Sequence, residues 1–136
     1  MMNTMPAASF IPVLNYPDVP AAIDWLGQHF DFLERWRAGE TRAQLSFGNG
    51  AIELIQGVSA GNKQSISLMV QVPDLQHHYE RSHASGLSIL QKPTTLPNGE
   101  KQYSLLDIGG HVWTFTQTVR ELSPEDWGAV SARHFQ

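Results

Sequence analysis

The chain uses one local design twice. Phe10-Ile11-Pro12-Val13-Leu14-Asn15-Tyr16 is an apolar run that ends in Pro17-Asp18, and Ile66-Ser67-Leu68-Met69-Val70-Gln71-Val72 ends in Pro73-Asp74, 56 residues later. At that offset Leu14 falls on Val70, Asn15 on Gln71 and Tyr16 on Val72. Proline cannot donate to a strand ladder, so each run stops there. The aspartate after it is a strong helix N-cap, because its carboxylate accepts from the free amides of the first turn.

Each Pro-Asp opens a helical stretch. Ala22, Ile23, Leu26 and Phe30 form a stripe at helical spacing, predicting a helix over 19–30. The second helix is expected over 75–84, with Leu75, His78 and Tyr79 inward and Ser85-Gly86 as its stop. Short β-like runs come next, at 32–37, 42–47 and 51–56 in the first half and 87–91, 101–107 and 111–118 in the second. Gly39, Gly48-Asn49-Gly50, Pro97-Asn98-Gly99 and Gly109-Gly110 separate them. The order strand–helix–strand–strand–strand is thus given twice, which is an α+β chain of two βαβββ modules. Module one spans about 8–57, a Gly-rich linker 57–63 and module two about 64–118. The tail 119–136 holds a short helix opened by Ser123-Pro124-Glu125-Asp126.

Composition excludes several classes of function. There is no cysteine, hence no disulfide, thiolate metal site or cysteine nucleophile. Nine Lys and Arg against 13 Asp and Glu leave a net charge of −4, which argues against a nucleic-acid partner. No apolar run is long enough to span a membrane. The first nine residues carry no positive side chain and no long apolar core, so they do not read as a secretory signal and a cytoplasmic protein is expected.

The tail of module two, Pro97-Asn98-Gly99 through Asp107-Ile108-Gly109-Gly110-His111-Val112-Trp113-Thr114-Phe115, resembles the Pro-x-Gly … Asp-Pro-Asp-Gly-His-x-Trp-x-Phe pattern of the vicinal oxygen chelate superfamily. These are the glyoxalase, bleomycin-resistance and dioxygenase proteins, and the duplicated βαβββ order is similar too. Over 8–118 the resemblance implies one glyoxalase/bleomycin-resistance-like domain. Its curved mixed sheets surround a cavity and its helices lie on the outer face. Ile108-Gly109 departs from the family's Pro-Asp at that turn.

Period-2 alternation then assigns faces on the implied fold. Leu14, Tyr16, Ile52, Leu54, Leu68, Val70 and Val72 should pack under helices, with Trp113 and Phe115. Val13, Asn15, Glu53, Ile55, Met69, Gln71, Thr114 and Thr116 should face the cavity. Trp36, Phe47 and Tyr103 lie on strands that form the cavity wall in this fold, and could stack on a flat ligand, although core packing is the commoner role for such residues.

Metal-dependent members of the superfamily carry four ligands, which by motif fall on Ile11, Glu53, Ser67 and Thr114. Only Glu53 is a competent donor, so no metal site is expected. His77, His78 and His83 lie on the second helix, where His83 follows the other two by six and five residues. Those separations do not stack two rings on one helical face, as three or four would. His111 reads as part of the turn motif, and His29 and His134 have no visible partner in sequence. Glu53 itself stays open between two roles. It contacts ligand or acts as a base, or it is a rim or arginine-paired glutamate with Arg42 or Arg37 as its partner.

The resemblance therefore implies a metal-free, cofactor-free protein that sequesters a hydrophobic or aromatic small molecule, with drugs among the candidates. Ligand contacts are expected from Asn15, Glu53, Met69, Gln71, Thr114, Trp36 and Tyr103. The alternative is a glyoxalase- or isomerase-type enzyme with Glu53 as base or sole retained metal ligand, and a binding domain without turnover is a third. A homodimer is expected, since edge strands pair in this family. The acidic chain weakly favours a neutral or cationic ligand.

Overall fold

The computed structural model describes residues 4–57 and 66–132. The linker after Gly57 and His134 lie outside the described residues. The element order is β1 (Val13–Tyr16), α1 (Val19–Phe30), β2 (Leu33–Ala38), β3 (Arg42–Phe47), β4 (Gly50–Gln56), then β5 (Ser67–Gln71), α2 (Leu75–Ala84), β6 (Ser88–Thr95), β7 (Glu100–Leu106) and β8 (Val112–Thr118). The two halves make two four-stranded mixed sheets, ordered β1-β4-β3-β2 and β5-β8-β7-β6. In each sheet the first strand runs parallel to the last, and the other neighbours are antiparallel. A parallel pair needs a crossover, and the helix after Pro-Asp supplies part of it.

The caps do what the sequence requires. Asp18 Oδ1 accepts from the Ala21 amide at 3.0 Å, and Asp74 Oδ1 accepts from the His77 amide at 3.1 Å. Asp31 ends α1 in the left-handed conformation, at φ 62°.

The chain divides into two compact units, 1–66 with 108–111, and 67–107 with 112–136. In the first, α1 packs on β2, β3 and β4. Its buried stripe of Val19, Ala22, Ile23, Leu26 and Phe30 has the spacing of one helix face, and Leu14, Tyr16, Ala43, Leu45, Ile52 and Leu54 are buried on the strands. The 108–111 turn belongs to this unit: His111 Nε2 lies 2.9 Å from the Asn15 carbonyl oxygen, and its ring meets Tyr16 edge-on at 5.1 Å. In the second unit α2 packs on β6, β7 and β8, and Tyr103, Leu105, Trp113 and Phe115 are buried. Trp113 Nε1 donates to Asp107 Oδ2 at 2.9 Å, so the indole is packed and its polar atom is satisfied.

Three features differ from expectation. β6 runs on to Thr95, through Pro93, and its register against β7 shifts twice, between Ile89 and Gln91 and between Gln91 and Thr94. As an edge strand it tolerates a residue that cannot donate to the ladder. The C-terminal helix is a single 3₁₀ turn, Pro124–Trp127. Trp25, an aromatic on the first helix where core packing is the ordinary role, is instead half-buried beside His29 and Phe30.

Candidate functional site

Each sheet has one face under its helix and one face away from it. The face away from α1 is set by register. Val13 pairs with Glu53, Glu53 with Gln44 and Gln44 with Trp36, which puts these four in one row across β1, β4, β3 and β2. Trp36 reaches that row only because β2 bulges between Glu34 and Trp36. With unbroken register from Glu34–Leu45, Trp36 would oppose Ala43, on the helix side. A bulge re-aims side chains in this way.

Glu53 is 5% exposed, and both its oxygens are engaged. Oε2 accepts from Arg42 Nε at 2.7 Å and lies 2.5 Å from Arg42 Nη2, while Oε1 accepts from Gln44 Nε2 at 3.2 Å. Arg37, the other candidate partner, holds Glu34 instead, in a 2.6 Å contact that keeps the Glu34 carboxyl below its usual range. Arg35, inside the bulge, donates to Gln44 Oε1. The result is a continuous polar chain, Arg35–Gln44–Glu53–Arg42. It contains two guanidiniums and one carboxylate, an excess of one positive charge, so the site favours a hydrogen-bond acceptor or an anion. The −4 of the whole chain pointed the other way.

Residues 4–8 lie over this chain. The Thr4 carbonyl accepts from Arg35 Nη1 at 3.0 Å and from Trp36 Nε1 at 2.8 Å, and the Gln44 amide lies 3.8 Å from Met5 Sδ. Beside this strap is a cavity of about 350 Å³ lined by Met5–Ala8, Arg35, Ser46 and the Gly48–Gly50 turn. Sequence reasoning missed Arg35, Gln44 and the strap. The parity of Arg42 and Gln44 was a signal for Gln44, but no local pattern announces a bulge at Arg35.

In the second unit the face away from α2 carries Ser67, Met69 and Gln71, all exposed, with Met69 at 65%. Met69 pairs with Thr114 and Thr114 with Ser104; Gln71 pairs with Thr116 and Thr116 with Gln102. The hydroxyls form a ladder. Ser104 Oγ and Thr114 Oγ1 are 2.8 Å apart, Gln102 Nε2 donates to Thr116 Oγ1 at 3.2 Å, and Thr116 and Thr118 donate to Glu100 at 2.6 and 2.5 Å. Asn15, on β1, is exposed, with its side-chain oxygen beside Gly57.

Tyr103 requires a correction. It is fully buried on the opposite face, because register pairs it with Phe115. Its hydroxyl lies 2.5 Å from His78 Nδ1 and 3.0 Å from Ser82 Oγ, both on α2, and its ring stacks on Phe115. Burial pushes the phenol up to about 12, the Ser82 hydrogen bond partly offsetting it. Tyr103 therefore ties helix to sheet and lines no open face. Phe47 likewise lies against Phe32, at 5.6 Å, and not on the Glu53 face.

The four positions that the resemblance marks for metal ligands, Ile11, Glu53, Ser67 and Thr114, do not assemble a donor set for a divalent ion. Register makes Val13–Glu53 in the first sheet the counterpart of Met69–Thr114 in the second. Glu53 is bound by Arg42 and Gln44, Thr114 by Ser104, and Ile11 has no donor atom. Among the described residues no group of three or more His, Cys, Asp or Glu is placed to hold a metal ion. A divalent ion needs several such donors converging. No helix among the described residues is long and apolar enough to cross a membrane.

Several solved structures share this architecture. TioX from Micromonospora sp. ML1 is 30% identical, with a TM-score of 0.69 over 85% of this chain and 100% of that one. A lactoylglutathione lyase from Agrobacterium tumefaciens is 15% identical, with a TM-score of 0.68 over 82% of this chain and 94% of the other. A possible glyoxalase from Bacillus cereus is 17% identical, with a TM-score of 0.64 over 79% and 98%. At such identities the last two are similar in fold alone. No curated protein matches the chain significantly. The model of the Glyoxalase/Bleomycin resistance protein/Dioxygenase superfamily matches residues 10–115, most of the chain, and the protein belongs to that superfamily.

Proposed function

We propose that the protein binds a small hydrophobic or aromatic molecule and removes it from solution, with no metal taking part. The observation that carries this reading is the state of Glu53. It is the sole carboxylate at a chelating position of the superfamily, and Arg42 and Gln44 occupy both its oxygens. The register counterpart in the second repeat is a threonine. A general base must reach the proton it removes, and a carboxylate closed into an ion pair is poorly placed to do so. Exposed apolar groups, Val13 on the first sheet and Met69 on the second, offer area to a ligand, and a methionine adapts to irregular shapes. On the first sheet Asn15 and Trp36, and on the second Gln71 and Thr114, offer polar and aromatic groups, each sheet taken by itself, and a small-molecule ligand and a second copy of the chain are the partners we expect.

The test combines two measurements on the purified full chain. Thermal melts against a library of planar drugs should give at least one compound that raises Tm, and elemental analysis should find no stoichiometric zinc, nickel, manganese or iron. Glu53→Ala should weaken binding of that compound, because it releases Arg42 and Gln44 from the positions in which the carboxylate holds them. Stoichiometric metal together with turnover of an α-oxoaldehyde hemithioacetal would replace this reading with the enzymatic one.

A further inference from the structure

The unit-one face already holds a peptide, and the peptide is the protein's own. A single backbone carbonyl, that of Thr4, accepts from two side chains at once, Arg35 Nη1 at 3.0 Å and Trp36 Nε1 at 2.8 Å. The next side chain, Met5, lies along the Gln44 amide. Arg35 and Trp36 sit where the bulge of β2 delivers them, and Gln44, on the neighbouring β3, is fully buried beneath the strap. The strap itself is lightly held. Thr4, Met5 and Ala7 are exposed, with Met5 at 52%, and the 350 Å³ cavity opens along its flank.

We propose that Arg35, Trp36 and Gln44 form a recognition site for a carbonyl group flanked by an apolar substituent, and that the segment Thr4–Ala8 is its resident occupant, which an external ligand must displace. Two donors converging on one oxygen select an acceptor, and the excess positive charge of the Arg35–Gln44–Glu53–Arg42 chain does the same. A tethered occupant competes at the high effective concentration of a short chain. It raises the apparent Kd of any free ligand by the inverse of the fraction of time the site is open. The inference rests on the reading that this face binds a small molecule, and it adds the chemistry that the face selects.

The probe is N-acetyl-L-methioninamide, whose acetyl carbonyl and thioether copy the Thr4 carbonyl and the Met5 side chain. It is titrated into the ¹⁵N-labelled full chain while the indole N–H of Trp36 is followed, assigned through Trp36→Phe. The comparison is with Met5→Gly/Pro6→Gly, which leaves the sheet untouched and loosens the strap. An occupant present nine-tenths of the time or more gives the loosened variant at least about tenfold tighter binding. Equal affinity for the two proteins overturns the competition, and absence of a Trp36 response in both overturns the carbonyl site. If the double variant loses the dispersed Trp113 indole signal, Met5→Ala replaces it under the same criteria. A library compound that binds both proteins equally leaves the sequestration reading standing and removes this one. A displaced strap with no library hit does the reverse.

Discussion

Arg42→Ala tests whether Glu53 is truly closed off. The carboxylate is 6% exposed as a side chain, whereas Arg42 is 54% exposed. Removing one partner of a fully buried pair costs about 3–5 kcal/mol, because the other charge stays behind without compensation. Here water can approach from the arginine side, so the cost is smaller. A charge-assisted hydrogen bond is worth about 1.5–3 kcal/mol, and Glu53 keeps its 3.2 Å contact to Gln44. We expect a loss of about 2 kcal/mol. Glu53→Gln should cost less, about 1 kcal/mol, since the amide still fills the space and can still meet Gln44. If the two residues act as a pair, the double variant loses less than the sum, with a coupling of about 1 kcal/mol. Urea denaturation of the four proteins measures all of this. A value for Arg42→Ala within about 0.5 kcal/mol of the parent, the level of an exposed ion pair, would mean that water satisfies Glu53. The carboxylate would then be available for a metal or a proton, and the argument for sequestration would lose its support.

Tyr103→Phe should destabilise by about 1–2 kcal/mol through loss of the hydroxyl contacts to His78 and Ser82. It should also remove the latest phase of the ultraviolet tyrosinate titration. With the phenol pushed from 10.0 up to about 12, the folded state holds the proton longer than the unfolded chain does. The stability from this group is therefore complete below pH 10 and is lost as the pH rises through about 12; a tyrosinate that titrates at about 10 would contradict its burial. Gly99→Ala should cost at least about 2 kcal/mol, because φ is +87° and a Cβ would stand 2.2 Å from the Arg120 carbonyl oxygen. Gly48→Ala, at φ +56° with nothing within 4 Å, should cost only about 1 kcal/mol. Equal losses at the two glycines, read from denaturant midpoints, would show that the chain at Arg120 gives way freely.

Most of the architecture was legible because it rests on local chemistry repeated twice. Pro17-Asp18 and Pro73-Asp74 each stop a strand and cap a helix whatever lies around them, and the helix bounds 19–30 and 75–84 came directly from spacing and stop residues. The alternation on β1 and β5 assigned Leu14, Tyr16, Val13 and Met69 to the faces they occupy. The site was harder to read. Arg42 stood among the candidate partners of Glu53, but Arg37 did too, and sequence alone could not choose. Tyr103 lies on a cavity-wall strand of the implied fold, but which face it takes is decided only when β7 is set against β8. Pairing with Phe115 turns it under α2.

The sequence by itself determined the duplication, the α+β order and the family, since each rests on short local motifs and their recurrence along the chain, and through the resemblance it put a competent donor at only one of the four chelating positions. Only the tertiary structure decided which residues share a face where the ladder slips. One extra residue in β2 moves Trp36 to the side of Glu53 and brings Arg35 onto Gln44. It also took three dimensions to bring Thr4 onto residues 31 and 32 positions further along the chain. A bulge and a long-range contact are settled by pairing energies summed over the sheet, and no short stretch of sequence carries that sum.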